Sequence, residues 1–343
     1  MEYSPLGNTD LNVSKICLGT MTFGEQNSES EAHQQLDFAL ERGINFLDTA
    51  EMYPVPPRQE TQGLTEEYIG SWLHKRQCRE QIIIASKVTG PGMLDYLRGG
   101  AKLNRQQMES ALHESLQRLQ TDYLDLYQVH WPARKTNFFG RLGYQYIEEE
   151  ATPIEETLEA LADFVQAGKV RHIGISNETP WGAKRYLELA QRHGWPRIIS
   201  IQNPYNLLNR TYEIGLAEFS HRENIGLLAY SPLGFGVLTG KYSNNAKPKD
   251  ARLTLYEHYN RYSDTQARQA TDKYTALAQQ HDISPAQMAL AYINTRTFLG
   301  ANIIGATTIE QLQENIESIE LKLGNEIIEG IEMIHKQFPN PCP

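Results

Sequence analysis

Asn45-Phe46-Leu47-Asp48-Thr49-Ala50-Glu51-Met52-Tyr53 is the stretch on which the fold turns. Gly43, just before it, can close a helix, and Ile44 to Leu47 is a short apolar run of the kind a buried parallel strand shows. The run stops on Asp48, and a tyrosine follows five residues later at the start of a loop. An acid at the tip of a buried strand needs a partner, because an unpaired buried charge is expensive. Alone, the stretch reads more readily as an Asp that caps the next turn and a Tyr that packs on the surface. What lies on either side decides between the two.

Outward from this stretch the chain alternates. Residues 3–14 centre on Pro5-Leu6-Gly7-Asn8 and read as a small hairpin ahead of the main fold. Strands are expected at Lys15–Leu18, Ile44–Asp48, Ile82–Lys87, Leu124–His130, Val170–Ser176, Ile198–Asn203, Gly226–Tyr230 and Asn302–Gly305. Between them the period becomes helical, at Ser30–Arg42, Thr65–Leu73, Arg105–Leu119, Ile154–Ala167, Trp181–His193 and Thr211–Glu223. After the seventh strand comes a long segment with a helix at its end near His281, then helices at Pro285–Thr295 and Ile309–Ile319. Thr152-Pro153, Thr179-Pro180 and Ser284-Pro285 each read as a capping residue before an N1 proline. Eight such units are the count of a closed (β/α)8 TIM barrel, with a doubly wound open sheet as the rival. No linker divides the chain, so residues 1–343 read as one α/β barrel domain with an N-terminal β-hairpin. Three connections, Glu51–Leu64, Trp131–Pro153 and Gly234–Thr265, are longer than joints need to be. All follow strands, so they belong to the strand C-terminal face, where barrels carry their active sites.

Bulk properties narrow the function classes. Hydrophobic residues are 40% and charged residues 22% of the chain, enough for a large core. No apolar run approaches a bilayer span, and the start lacks the pattern of a signal peptide. Cys17, Cys78 and Cys342 are scattered and odd in number, which suggests neither a disulfide framework nor a Cys-x-x-Cys metal site. A cytoplasmic location is expected. A net charge of −10 argues against nucleic-acid or anionic-membrane partners. Oligomeric state is open, with a monomer the simpler expectation.

The strand tips carry the chemistry. The second strand ends at Asp48 with Tyr53 just beyond, the third at Lys87, the fourth at His130. Successive barrel strands converge at that face, so these four side chains are expected in one pocket. A tyrosine has an ordinary pKa of about 10 and is a weak acid at neutral pH. A nearby lysine ammonium favours the phenolate and lowers that pKa. Asp48 would hold Lys87 charged, and His130 would hydrogen-bond a substrate oxygen, making Tyr53 a proton donor to a carbonyl. No serine, cysteine or metal cluster offers a nucleophile, so a nicotinamide cofactor is expected to supply the attacking hydride.

The second half offers a place for it. Ser176-Asn177 and Gln202 end the fifth and sixth strands and could clamp a carboxamide. Tyr230 offers a flat face to a ring. Ser231-Pro232-Leu233-Gly234 and Lys241 offer backbone N–H groups and a cation to a pyrophosphate. Gly234, Gly236 and Gly240 are spaced one residue too long for a Rossmann fingerprint. Gly305-Ala306-Thr307, opening a helix with Gln311, Glu314 and Asn315, matches the phosphate site that barrels build after strands seven and eight.

Gly43 to Ala50, Tyr53, Ser86-Lys87, Gln128-Val129-His130, Gly174 to Asn177, Tyr230 to Leu233 and Gly305 to Thr307 run in one order over nearly the whole chain. In that order they resemble the aldo-keto reductase family. Gly240-Lys241-Tyr242 and Gln311 to Asn315 resemble its branch of bacterial Tas-type reductases and potassium-channel β-subunits. The resemblance implies a (β/α)8 barrel that reduces a small carbonyl substrate with NADPH/NADP+ and no metal. It implies Tyr53 as general acid, supported by Lys87, Asp48 and His130. It implies a cofactor site of Ser176, Asn177, Gln202, Tyr230, Ser231, Leu233, Lys241, Arg252, Thr307, Gln311, Glu314 and Asn315. Many relatives place an arginine where Gln311 stands, so contact with the 2′-phosphate would here fall to Arg252 or Lys241.

Overall fold

The computed structural model describes residues 1–343. Eight parallel strands close into a barrel: β3 (Ile16–Gly19), β4 (Phe46–Asp48), β5 (Ile83–Val88), β6 (Leu124–Val129), β7 (Val170–Ser176), β8 (Ile198–Pro204), β9 (Gly226–Tyr230) and β10 (Leu299–Ile304). They pair in chain order, and β10 closes on β3. The open-sheet rival is thereby excluded. Strands buried on both faces read as continuous apolar runs, which is why the pattern was visible.

Helices α1 (Glu29–Glu41), α2 (Leu64–Arg76), α3 (Arg105–Leu119), α4 (Ile154–Gln166), α5 (Pro180–His193) and α6 (Tyr212–Glu223) follow the first six barrel strands. After β9 come α7 (Arg252–Leu255), α8 (Thr265–Gln280) and α9 (Pro285–Asn294), and after β10 come α10 (Ile309–Glu317) and α11 (Asn325–Gln337). Caps set the starts. Ser28 accepts from Glu31 N in a capping box, and Thr179 and Ser284 cap α5 and α9, which have proline at N1, by accepting from Gly182 N and Gln287 N. Thr152 does not act this way: α4 begins one residue later, with Pro153 at the cap position and no side-chain bond. Three elements depart from the sequence expectation more strongly. Helices α7 and α11 are additional, and β10 begins at Leu299, three residues before Asn302. No helix is long and apolar enough to cross a membrane.

The core has two layers. One lies between barrel and helices, around Leu18, Ile84, Tyr127 and Leu161. The other fills the barrel with Cys17, Phe46, Ala85, Leu126 and Leu228. The hairpin of β1 (Tyr3–Pro5) and β2 (Asn12–Ser14) closes the strand N-terminal end. Its Leu6 packs on Gly226 and Gly300, where a Cβ would come within 2.9 and 2.6 Å of Leu6 Cδ1. With that end plugged, the strand C-terminal tips are left as the open face.

Candidate active site

Register brings the tips together. Asp48 pairs across from Ala85, Lys87 from Gln128, and Ser176 from Gln202. Lys87 is fully buried, and its Nζ donates to Asp48 Oδ2 at 2.6 Å and to the Thr49 carbonyl at 2.7 Å. The other carboxylate oxygen of Asp48 accepts from Gln202 Nε2 at 2.8 Å and Gln128 Nε2 at 3.4 Å. Both carboxylate oxygens are therefore engaged, as a buried charge requires. Burial opposes the lysine's charge, but Asp48 and Tyr53 outweigh it, and its pKa rises.

Tyr53 stands over this pair, with Lys87 Nζ 4.9 Å from its ring centroid. Burial pushes the phenol upward, Lys87 pulls it down, and Asp48 pushes it up again; the net direction is up. This reverses the sequence expectation of a lowered value. The physical reason is that Lys87 is already neutralised by Asp48 in a dry pocket, so its field at the phenol is too weak to offset desolvation. His130 meets Tyr53 edge-on, centroids 5.8 Å apart. Burial first, and Lys87 second, hold His130 well below its usual range, so it is neutral, and its Nδ1 is buried without a partner. A neutral imidazole and a protonated phenol can both donate to one substrate oxygen.

Apolar side chains wall this centre. Ala50, Met52, Leu94, Leu97, Ala101 and Trp131 cluster with Tyr53, and Phe138 and Phe139 pack against them. Trp131 lies 5.0 Å from the His130 ring and 5.8 Å from Phe139. Leu94, Leu97 and Ala101 come from the connection after β5, residues 89–104, a fourth long loop beyond the three expected. Glu51 anchors it: its carboxylate takes both arms of Arg98 and the Thr89 N–H, at 2.6 to 2.9 Å. Trp131 Nε1 donates to the Pro91 carbonyl at 3.0 Å, and the ring passes so close to Gly90 that a Cβ there would lie 2.4 Å from it. The clue to this loop lay in its length and in Gly90-Pro91-Gly92 and Gly99-Gly100.

The expected cofactor residues divide into three groups. Asn177 reaches back to the His130 carbonyl at 2.9 Å and accepts from Tyr230 Oη at 2.6 Å. Ser176 Oγ donates to the Gln202 carbonyl at 2.7 Å. Burial pushes Tyr230 up to about 12, so it is a neutral platform beside Tyr53. Gln202 faces Asp48, on the border of the two groups.

The second group is the turn after β9. Gly234 and Gly236 adopt positive φ, but their N–H groups donate inside the turn, to Ser231 and Leu233. The expected free backbone donors are not available at those two positions. The cations are. Burial lowers the Arg252 pKa, and tyrosines (Tyr259, Tyr242, Tyr53, Tyr256), not carboxylates, oppose it. Lys241 is lowered by burial and then by Arg252 itself. Two neighbouring half-buried cations facing neutral groups could hold a polyanion.

The third group lies at the β10 tip. Gly305 opens onto free space, and Thr308 caps α10 by accepting from Gln311 N. Gln311 Oε1 accepts from Thr307 N and Oγ1, and Asn315 Nδ2 holds the Gly305 carbonyl at 3.1 Å. Glu314 is taken up in packing, accepting from Ser284 Oγ at 2.5 Å. Ala306 and Thr307 are tied to the β3–α1 loop through Thr22 and Asn27.

Comparison with known proteins agrees with this arrangement. The family model described as "Aldo/keto reductase family" matches residues 15–336. The chain is 54% identical to "Protein tas" of Escherichia coli K12 over the full length of both. It is 35% identical to the "Uncharacterized oxidoreductase YrpG" of Bacillus subtilis, covering 99% of this chain and 97% of that one. It is 31% identical to the "L-glyceraldehyde 3-phosphate reductase" of Escherichia coli K12, covering 93% and 88%. A barrel of this topology with these tips, matched from Lys15 to Lys336, belongs to the aldo/keto reductase family.

Proposed function

We propose that this chain reduces an aldehyde or ketone to an alcohol with NADPH, and that Tyr53 gives the proton. The reading rests above all on one observation: a buried tyrosine held protonated between a neutral His130 and the paired Lys87–Asp48. Ser176, Asn177, Gln202 and Tyr230 would hold the nicotinamide end. Lys241 and Arg252 would take the phosphates, and the turn Ser231–Gly234 with Gly305, Ala306, Thr307, Gln311 and Asn315 would frame the rest. Bound there, reduced nicotinamide supplies the hydride to the carbonyl carbon. His130 and Tyr53 orient the carbonyl oxygen, and Tyr53 donates as charge develops on it. Lys87 steadies the phenolate left behind. The wall of Trp131, Phe138 and Leu94 keeps water from the reacting atoms.

A Schiff-base role for Lys87 is disfavoured. Its nitrogen is fully buried, doubly hydrogen-bonded and held charged, whereas such chemistry needs a free amine.

The test is Tyr53→Phe, which keeps the ring and removes the donor. Loss of general-acid help costs about 10²–10⁴ in kcat, with the NADPH dissociation constant unchanged. A variant that keeps more than about a tenth of the wild-type kcat, with chemistry rate-limiting, would rule out the role.

A further inference from the structure

Arg261 closes the aromatic wall at the end opposite Tyr53. The wall runs from Tyr53 to His130, Trp131 and Phe139, with centroid separations of 5.8, 5.0 and 5.8 Å. The Arg261 guanidinium then lies 5.5 Å from the Phe139 centroid. The loop after β6 folds onto it, since a Cβ on Gly140 would sit 3.1 Å from Arg261 Nε. The Pro343 main-chain oxygen lies 3.5 Å from the same point. The partners of Arg261 are phenols. Burial works against its charge, and Tyr230 and Tyr262 sustain it. The carboxylate nearest in sequence, Asp264, is committed as the N-cap of α8, accepting from Ala267 N at 2.7 Å. A half-buried guanidinium whose hydrogen-bond partners are phenols has donors to spare for an anion.

The other cations of this face differ, and Arg141 stands exposed over the Phe138 ring at 5.6 Å. Arg134 is spent on Glu178 and Lys135 on Glu149. Lys241 and Arg252 lie on the proposed cofactor side. Arg261 borders Tyr230, between the β6 loop and the C-terminal residues.

We propose that Arg261 binds an anionic group, a carboxylate or phosphate, on the carbonyl substrate, and so selects anionic aldehydes over neutral ones. This deepens the reductase reading and rests on it for the position of the carbonyl. The guanidinium is a fork that carboxylate and phosphate oxygens match in pairs.

The experiment compares 3- and 4-carboxybenzaldehyde with their methyl esters, in wild type and in Arg261→Met. In wild type with NADPH, kcat/KM for the better acid should exceed that of its ester by about ten- to a hundredfold, as a charged hydrogen bond gives. The difference should lie in KM. In Arg261→Met the advantage should vanish, while ester turnover and the NADPH dissociation constant stay unchanged. Equal losses for acid and ester, or a loss of NADPH affinity, would overturn the proposal and move the guanidinium to a structural or cofactor role. Fluorescence titration of both compounds into NADP+-saturated protein keeps the two readings apart. Acid that binds more tightly than ester in wild type alone supports the anchor even if nothing is turned over, in which case only the reductase reading falls. Equal binding in wild type sinks the anchor whatever the turnover.

Discussion

The tips of β4 to β6 and the strap between β9 and α8 are built on opposite electrostatic plans. At the tips the charges are settled within the protein: Lys87 with Asp48, Arg98 with Glu51. Along the strap Arg252 and Arg261 face tyrosines, and Lys241 faces Tyr242 and Arg252. The first region is finished before any ligand arrives, which suits a proton donor that must already be in place. The second has unmet cationic demand, which suits a site that binds anions. The same contrast explains why Tyr53 stays protonated: a settled ion pair projects little field, so desolvation prevails.

The largest effect that would break the comparison lies at the tips. Lys87→Met leaves Asp48 buried without its counter-charge and removes the main group that lowers the Tyr53 pKa, ahead of Arg252. Loss of a preorganised charge of this kind costs about 10²–10³ in kcat. The sign of the pH effect follows from the cause. Lys87 pulls the phenol down, so removing it moves the phenol up. Alcohol oxidation needs the phenolate, so the pH at which its rate rises should move upward in the variant. An unmoved midpoint with near-normal rate would show that the pair does not act on Tyr53. The reduction profile of the wild type should in turn lack an acidic limb near pH 6.5, because His130 stays neutral there.

How far this was legible in the sequence varies along the same divide. Arg105–Leu119, Val170–Ser176 and Gly226–Tyr230 were bounded correctly from period and turn residues alone. Asp48, Lys87 and His130 stood out as polar residues ending apolar runs, and the barrel then had to bring them together. What failed depends on tertiary depth. The net direction of the Tyr53 shift needs its burial, which no local pattern contains. That Arg134 is spent on Glu178, 44 residues away, and Arg261 is not, is likewise decided by packing. Helix α11 had its signal in Gly324 followed by Ile327, Ile328, Ile331 and Ile334, but it lies beyond the last barrel unit. The loop of residues 89–104 is hidden because Glu51 and Arg98, 47 residues apart, hold it.

A smaller effect sharpens the strap side. Arg252 is half-buried with no carboxylate beside it, so Arg252→Ala should weaken NADPH binding more than NADH binding. The difference should be about 1.5–3 kcal/mol, the worth of a charged hydrogen bond. Quenching titrations with both cofactors measure it. If wild type binds NADPH and NADH equally, or the variant keeps its selectivity, the 2′-phosphate is recognised elsewhere, with Lys241 the next candidate.

The smallest effect concerns how the strap is fastened. Tyr256 Oη donates to Glu25 Oε1 at 3.1 Å, and the same oxygen pairs with Arg58 at 2.8 Å. Glu25 lies between β3 and α1, and Arg58 between β4 and α2, so the strap is tied across the barrel mouth to two other connections. Gln26 adds a longer bond to the Asp250 carbonyl, at 3.4 Å. On the proposed placement of the cofactor, beneath the strap, this tie would open on entry and on release. Tyr256→Phe removes one neutral-to-charged hydrogen bond at a partly exposed site, worth about 0.5–1.5 kcal/mol. Entry and release rates in stopped-flow should then both rise, by about two- to tenfold, while their ratio stays close to the wild-type dissociation constant. Release that quickens without faster entry would mean that the tie forms only around bound cofactor. Unchanged rates would mean that the cofactor enters by a path the strap does not cover.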